Sequence, residues 1–304
     1  MGHDPELEAV LDLVPELRDD SRRVEELPGG LTNQNYKVVV GERSYVVRRW
    51  SDDGALLSID RDNEHENSVK AAEAGVGAPV VAFLPDHGTL VIEFLEGRTL
   101  SADELRGGYP LDRIAEACGR LHGAEPFRDG FDMFGTQRAY LELVTERGFR
   151  LPDRYRDFEP RMEAVEEALG SQSEDLVPCN NDLLAENFID DGERLWLIDY
   201  EYSGNNEPSF ELGNIWSESG LSLAQLDELV AAYWGEPSPA KVARARLWGL
   251  MSKYGWTLWA SIQDGVSEIE FDFWSWGMEK YERAVDEFEG PDFERLLEDA
   301  RMPG

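Results

Sequence analysis

Cysteine and long apolar runs are scarce in this sequence, and each scarcity excludes a class of protein. The chain of 304 residues contains two cysteines, Cys118 and Cys179. Two are too few for a disulfide framework, and without a Cys-x-x-Cys pair nothing indicates zinc. No apolar run approaches the ~18–20 residues of a membrane span, and the N-terminus lacks the basic start of a signal peptide. We therefore expect a cytoplasmic protein with free thiols.

Positive charge is scarce as well. Lysine and arginine total 29, with very few lysines, against 63 aspartates and glutamates, so the net charge is −34. A chain this acidic repels polyanions, and we expect neither a nucleic acid nor an anionic membrane as partner. The acidic residues are spread along the whole chain. This favours a halophilic protein in a salt-rich cytoplasm, where ions screen self-repulsion; solubility alone is the other explanation.

The first third of the chain has the composition of β-strands. Residues 36–40 and 44–49 form one predicted hairpin, and residues 80–84 and 89–94 form a second. Between the hairpins, residues 61–74 are polar and free of glycine, which is compatible with a helix. The pattern predicts two strands, a helix and two more strands.

Helical patterns dominate from Ser101 onward, where Ser-Ala-Asp-Glu predicts a capping box. Apolar residues at helical spacing predict helices at residues 111–122, 158–169, 223–234, 241–263 and 276–288. A hairpin interrupts them, because residues 187–190 and 194–200 flank an Asp-Gly pair. The predicted fold is α+β with two lobes. Residues 1–96 form a small lobe with an antiparallel sheet and one helix, and residues 97–304 form a larger, mostly helical lobe.

The densest polar signal spans residues 179–187, Cys-Asn-Asn-Asp-Leu-Leu-Ala-Glu-Asn, and returns at Ile198-Asp-Tyr-Glu. Asn-Asp clusters are often ordinary turns. Here the hairpin brings Asp199, at the end of an apolar strand, back towards Asn187, and a buried acid needs a partner such as a metal. Phosphoryl transfer requires a carboxylate for the attacking hydroxyl and oxygen ligands for Mg²⁺. We assign the first role to Asp182 and the second to Asn187 and Asp199.

These motifs resemble the aminoglycoside phosphotransferase and choline kinase group of protein-kinase-like enzymes, whose pattern is His-x-Asp-x-x-x-x-Asn followed by Ile-Asp-x-Glu. Residues 181–187, 198–203 and 210–214 are most similar to choline/ethanolamine kinases. The resemblance covers about residues 27–290. It implies a two-lobed kinase fold that uses ATP and Mg²⁺ to phosphorylate an alcohol. The sequence departs from the pattern at Asn180, where most of the group has His, and at Glu211, which replaces Asp.

The resemblance also implies nucleotide contacts in the small lobe. A glycine-containing turn would cover the phosphates, a cation on the second strand would contact the α- and β-phosphates, and an acid on the helix would hold that cation. Backbone groups after the last strand would bind the purine edge. The implied nucleotide-binding residues are Gly29, Gly30, Asn33, Arg48, Glu64, Glu93 and Leu95.

The large lobe is rich in aromatic residues, which at helical spacing are often core. On the resemblance, four of them match an aromatic cage for a quaternary ammonium, which ring faces attract by ~0.5–2 kcal/mol each. We name these four residues the aromatic cage: Trp256, Trp259, Phe271 and Trp276. Glu218 is the implied counter-charge. The expected substrate is therefore a small cation, choline or a related amino alcohol.

Two alternatives remain open at this point. The chain could phosphorylate another small alcohol, such as an aminoglycoside, thiamine, homoserine or a sugar. It could instead be a nucleotide-binding pseudokinase, for which Asn180 is the only sequence support. A protein kinase is disfavoured, because no Asp-Phe-Gly and Ala-Pro-Glu pair marks an activation segment. The sequence does not indicate the oligomeric state or a preference for ATP over GTP.

Overall fold

The structure is a computed structural model that describes residues 5–50, 56–57 and 59–303. The first four residues, which belong to the N-terminus considered above for a signal peptide, lie outside these ranges. In the small lobe, five strands form one antiparallel sheet in the order β1-β2-β3-β5-β4. The strands are β1 Arg23–Leu27, β2 Asn33–Val40, β3 Arg43–Trp50, β4 Val80–Leu84 and β5 Thr89–Glu93. Two helices accompany them, α1 Pro5–Leu11 and α2 Arg61–Glu73.

The four predicted strands and the helix between them are confirmed within a few residues, but the predicted order of two strands, a helix and two strands includes neither α1 nor β1. Strand β1 lies at the edge of the sheet and reads Arg-Val-Glu-Glu-Leu, so its charges hide the alternation of a half-buried strand. Helix α1 has only seven residues. Its Leu7 and Leu11 are buried against Val38 and Tyr45 of the sheet, and this packing supplies the stability that so short a helix lacks alone.

The large lobe is mostly helical, as predicted. Its elements are β6 Arg98–Thr99, α3 Ala102–Arg106, α4 Leu111–His122, α5 Met133–Arg147, α6 Glu159–Gly170, β7 Val177–Cys179, β8 Phe188–Asp190, β9 Leu195–Leu197, β10 Gly204–Asn206, α7 Pro208–Ser219, α8 Leu223–Trp234, α9 Pro239–Val266, α10 Phe273–Phe288 and α11 Phe293–Ala300. The capping box at Ser101 is present at the start of α3. Helices α5, α7 and α11 lack a matching prediction.

Helix α9 is the centre of the large lobe. Its 28 residues are buried along most of their length, and α5, α7, α10 and α11 all pack on it. Helix α7 approaches it closely, because Gly213 and Gly249 leave the two backbones almost in contact. Within the described ranges, no helix, α9 included, has the length and apolar character needed to cross a membrane.

The predicted hairpin near residue 190 is present but shorter than expected. Strand β9 ends at Leu197, whereas the prediction extended it to residue 200. The reason is conformational: Asp199 has a φ of 66°, a left-handed backbone that cannot continue a strand. Strands β8 and β9 still pair, and Ile198 N–H donates to the carbonyl of Asn187 over 3.0 Å. The return of the chain towards Asn187 is therefore confirmed.

Candidate active site

The loop of residues 180–187, called the polar loop here, joins β7 to β8 and ends in a short 3-10 helix, Ala185–Asn187. Asn180 is fully buried at its start and bonds in two directions. Its side-chain amide donates to the carbonyls of Ile198 (3.2 Å) and Asp199 (2.8 Å), and its Oδ1 accepts the N–H of Asp182 over 3.1 Å. The residue that departs from the expected His thus joins the backbone of Asp182 directly to that of Asp199.

Helix α7 holds the polar loop in place through side-chain hydrogen bonds to the loop backbone. The buried carboxylate of Glu211 accepts the backbone N–H groups of Asn180 and Asn181, each over 2.8 Å. Asn214, one turn further along the helix, accepts the N–H of Leu183 over 2.8 Å. The second departure from the expected pattern, Glu for Asp at 211, therefore leaves the loop with two carboxylate hydrogen bonds, which are stronger than neutral ones.

Asp182 projects from this loop as a half-buried carboxylate. Burial raises its pKa well above the usual range, and the nearby carboxylates of Glu218, Asp199 and Glu201 raise the pKa further. Lys280 acts in the opposite direction. The surroundings of Asp182 are therefore strongly anionic and favour a bound cation.

Asn187 and Asp199 provide oxygens of the kind that Mg²⁺ prefers. Asn187 donates its amide N–H to the carbonyl of Asp182 over 2.8 Å, which leaves its Oδ1 for another partner. Asp199 is the second oxygen donor, and its left-handed backbone is the kind of strain that structures maintain at functional sites. An amide oxygen and a carboxylate joined through one short hairpin fit a magnesium ion by their chemistry.

Arg48 connects the two lobes. Its Nη1 donates to Asp199 Oδ1 over 2.6 Å and to Glu64 Oε1 over 2.9 Å. The side chains of Arg48 and Glu64 are 12% and 2% exposed, so they form a buried ion pair and not a solvated surface pair. Arg61, which sequence reasoning missed, also contacts Glu64 and lies 3.3 Å from Glu201. A buried network of opposite charges thus meets where the lobes meet.

The turn containing Gly29 and Gly30 is exposed, and the residues that follow it contact the large lobe. Both glycines have positive φ, and a Cβ at Gly30 would come within 2.6 Å of the carbonyl of Asn33. Asn33 donates to Glu201 over 3.0 Å and accepts from Arg61 over 3.1 Å, so protein contacts occupy both ends of its amide. Burial and Asp199 raise the pKa of Glu201 to about 7. The Asn33 side chain here fixes the turn to the large lobe.

The segment after β5 contains the predicted purine contacts. The N–H of Glu93 donates to Pro79 and that of Phe94 to Ser44, so these two donors are already used. The N–H of Leu95 donates to no residue in the part of the chain that the structure describes. Of the predicted amide donors, Leu95 is the one left for a nucleotide. Apolar side chains, Ala78, Leu90, Ile92 and Leu197, line the adjacent cavity together with Arg48 and Asp199.

Three rings of the aromatic cage lie on α9 and α10 and Phe271 lies in the turn just before α10, and these members differ in exposure. Trp256 and Trp259 are 4% and 6% exposed, whereas Phe271 is 42% exposed at the rim. Trp276 packs edge-on against Trp259 at 5.6 Å between ring centroids. Two of the four rings are therefore buried, Trp276 is half-buried and Phe271 is exposed. The cause is the dense packing of α9 within the lobe.

Tyr202 joins the cage to the polar loop, and sequence reasoning did not single it out. Its hydroxyl accepts the N–H of Trp259 over 2.8 Å, and its ring lies 4.9 Å from that of Trp256. Tyr202 follows Asp199 by three residues, within the Ile-Asp-Tyr-Glu-Tyr-Ser motif. The motif itself was the signal that could have identified it.

Glu218 does not lie in the site as a lone counter-charge. The Nζ atom of Lys280 donates to its Oε2, and the same Nζ lies 4.0 Å from the centroid of the Trp276 ring. Lys280 therefore already neutralises part of the charge of Glu218, and the role of Glu218 as a counter-charge to a substrate stays a prediction. Lys280 was missed because it lies 62 residues from Glu218 and belongs to no motif.

Comparisons with known proteins agree on one family. A family model described as choline/ethanolamine kinase matches residues 24–228. Ethanolamine kinase 2 of Mus musculus is 28% identical over 302 residues, with 88% of this chain and 76% of the relative covered. A choline/ethanolamine kinase family protein from Mesorhizobium loti has a TM-score of 0.85 at 32% identity, with coverage of 98% and 99%. Choline kinase LicA from Streptococcus pneumoniae has a TM-score of 0.77 at 27% identity, with coverage of 92% and 97%.

Proposed function

This chain belongs to the choline/ethanolamine kinase family, and we propose that it uses ATP and Mg²⁺ to phosphorylate choline or a related amino alcohol. Phosphotransfer to an alcohol follows from the family itself, and the fold is that of the family. The nucleotide, the metal and the amino alcohol are the proposal. The observation that carries it is the set of hydrogen bonds that joins Asp182, Asn187 and Asp199 beside the aromatic cage.

In the proposed reaction, Asp182 accepts the proton of the substrate hydroxyl and orients its oxygen for in-line attack on the γ-phosphorus. The new O–P bond forms as the bond to the bridging oxygen breaks and ADP leaves. The raised pKa of Asp182 supports this role, because a more basic carboxylate is a better proton acceptor. Asn187 and Asp199 would hold Mg²⁺, which when bound neutralises charge on the β- and γ-phosphates.

The nucleotide would lie between the lobes. Arg48, fixed by Glu64, would contact the α- and β-phosphates, and the turn at Gly29 and Gly30 would cover them. The N–H of Leu95 would bind the purine edge, beside the apolar cavity described above. For Arg48 to reach phosphate it must share or leave Asp199, to which it bonds over 2.6 Å. Binding of Mg²⁺ at Asp199 would favour that change, since the metal neutralises the same carboxylate.

The choice of an amino alcohol is supported by the surroundings of Asp182. Aromatic faces and buried carboxylates both attract cations, and the anions near Asp182 outnumber Lys280. A net charge of −34 also raises the local concentration of cationic substrates around the protein. A neutral sugar would gain nothing from either feature.

A substrate panel tests this proposal. ADP release would be measured with ATP and Mg²⁺ at high KCl, in the presence of choline, ethanolamine, an aminoglycoside, thiamine, homoserine or a sugar. We expect turnover with an amino alcohol and background rates with the others. Turnover of another alcohol alone would replace the proposed substrate class. Nucleotide binding without turnover of any alcohol would instead identify a pseudokinase.

A further inference from the structure

A histidine, a cysteine and a glutamate meet next to the start of the polar loop. His122 is the last residue of α4, Cys179 is the last residue of β7, and Glu211 lies in the first turn of α7. The three residues are 7%, 0% and 0% exposed. They come from three distant segments, so the sequence, which lacks a Cys-x-x-Cys pair, does not reveal that they meet.

The donor atoms of these residues are spaced like the ligands of a zinc ion. Cys179 Sγ lies 3.6 Å from His122 Nε2, and His122 Nε2 lies 3.8 Å from Glu211 Oε1. Zinc bonds of about 2.0–2.3 Å at tetrahedral angles place neighbouring ligand atoms about 3.3–3.6 Å apart, so both observed distances are within about 0.5 Å of that geometry. In the part of the chain that the structure describes, no other group of three His, Cys, Asp or Glu donors comes together in this way.

Tyr233 orients the ring of His122. Its hydroxyl lies 2.7 Å from His122 Nδ1. When Nδ1 carries the ring proton and donates it to this hydroxyl, Nε2 presents a lone pair to Cys179 and Glu211. Metal-binding histidines almost always make such a hydrogen bond with their other nitrogen. Tyr233 is itself only half-buried, so the route from solvent to the ring of His122 is short.

Glu211 can bind an ion without releasing the polar loop. Its Oε1 accepts the N–H of Asn180 and its Oε2 accepts the N–H of Asn181, each over 2.8 Å. A carboxylate oxygen has two lone pairs, so Oε1 keeps one for a metal. The charges of one thiolate and one carboxylate together equal that of Zn²⁺, and such neutrality is what a buried ion requires.

We propose that Cys179, His122 and Glu211 bind a zinc ion that holds the start of the polar loop to α4 and α7. Zn²⁺ replaces the thiol proton of Cys179, and that proton leaves to solvent. Sulfur and nitrogen donors favour Zn²⁺ over Mg²⁺, which takes oxygen ligands. Three protein ligands leave the fourth position for water. This site is separate from the proposed Mg²⁺ site at Asn187 and Asp199, and it does not depend on the proposed function.

Titration of the reduced, metal-free protein tests the proposal. Excess Mg²⁺ would be present to occupy oxygen sites on the acidic surface, and Zn²⁺ binding would be measured by calorimetry. We expect one tight equivalent and a higher melting temperature with Zn²⁺, because the ion binds the folded chain. Co²⁺ in place of Zn²⁺ should give the charge-transfer absorbance of a cobalt–thiolate bond. No tight equivalent, or binding of Co²⁺ without that absorbance, would overturn the inference.

Cys179→Ser and Cys118→Ser are a matched pair of variants. Both thiols are fully buried, but Cys118 does not belong to the group of three donors. We expect Cys118→Ser to keep the absorbance and the zinc affinity and Cys179→Ser to lose both. Equal zinc affinity of Cys179→Ser and the unaltered protein would assign the ion to surface carboxylates and overturn the inference.

Tyr233→Phe decides the question even if Cys179→Ser does not fold, which urea unfolding would show. This variant keeps all three ligands and changes a half-buried side chain by one hydroxyl. The affinity for Zn²⁺ should fall by about tenfold to a hundredfold, the usual effect of removing the partner of a metal-binding histidine. An unchanged affinity would show that His122 does not bind the ion and would contradict the proposed site.

Discussion

Replacing Asn180 by Ala should separate the positioning of Asp182 from the stability of the fold. The Asn180 side chain makes three hydrogen bonds, two to the carbonyls of Ile198 and Asp199 and one from the N–H of Asp182. The alanine variant removes all three and leaves backbone groups without partners inside the protein. The polar loop would then keep its links to the chain around Asp199 through the pairing of Ile198 with Asn187 and the bonds from the Asn181 amide.

The size of both effects follows from these contacts. At about 0.5–1.5 kcal/mol for each hydrogen bond, the free energy of unfolding should fall by about 2–4 kcal/mol. Catalysis should fall further than stability suggests, because a displacement of about 1 Å between reacting groups costs about a hundredfold in rate. The KM for ATP should change little, since the Arg48–Glu64 pair does not contact Asn180.

Asn181→Ala is the matched control. Asn181 is equally buried, and its amide donates to the carbonyls of Cys179, Tyr202 and Gly204, but it does not contact Asp199. Urea unfolding and kcat would be measured for both variants. We expect similar losses of stability and a loss of kcat that is at least tenfold greater for Asn180→Ala. If the two variants lose kcat equally, Asn180 contributes only to folding and the positioning argument is wrong.

Three further predictions concern stability. Burial lowers the pKa of Lys253 from its usual 10.5 to about 7. Between these two pH values the unfolded chain binds more protons than the folded one, so the free energy of unfolding rises with pH across that window. Lys253→Met should therefore remove this pH dependence and stabilise the protein at pH 7 by about 2–4 kcal/mol, after loss of the contact with Trp216 is subtracted. A lower free energy of unfolding for Lys253→Met than for the unaltered protein at pH 7 would contradict this expectation. Gly213→Ala should destabilise the protein by about 3 kcal/mol or more, because its Cβ would lie 2.1 Å from the carbonyl of Ala245. Gly119→Ala is the control: its Cβ would meet no atom within 4 Å, so this variant should stabilise the protein slightly. Urea titration measures both effects. The melting temperature should rise from low to molar KCl, because screening relieves repulsion among 63 acidic residues, and equal melting temperatures would contradict the halophilic interpretation.

Local patterns predicted most of the architecture. The strands β2 to β5 are rich in β-branched and aromatic residues and turn residues mark their hairpins, so tertiary packing agrees with the local signal. Strand β1 was missed because three of its five residues are charged, which hides the pattern of a strand. It belongs to the sheet through its pairing with β2, a contact that the sequence pattern does not reveal. Helix α7 was missed as a helix because Pro208–Ser219 is buried on nearly every side, which removes the polar face that marks a surface helix.

The site was predictable where its residues share a short segment. Asp182, Asn187 and Asp199 are joined by one loop and one hairpin, so spacing alone indicates that they meet. Contacts between distant segments leave no such pattern: the pair of Glu218 with Lys280 spans 62 residues, and the bond from Asn33 to Glu201 spans 168. The roles of all these residues in catalysis and binding stay predictions.

The rate of ADP release by Asp182→Ala, with ATP, Mg²⁺ and an amino alcohol that the unaltered protein phosphorylates, tests the central claim most directly. We expect turnover reduced to background while the nucleotide still binds, because Arg48, Asn187 and Asp199 are unchanged. Asn187 would lose no side-chain bond, since it donates to the backbone carbonyl at position 182. Turnover near that of the unaltered protein would contradict the role of Asp182 and with it the proposed mechanism.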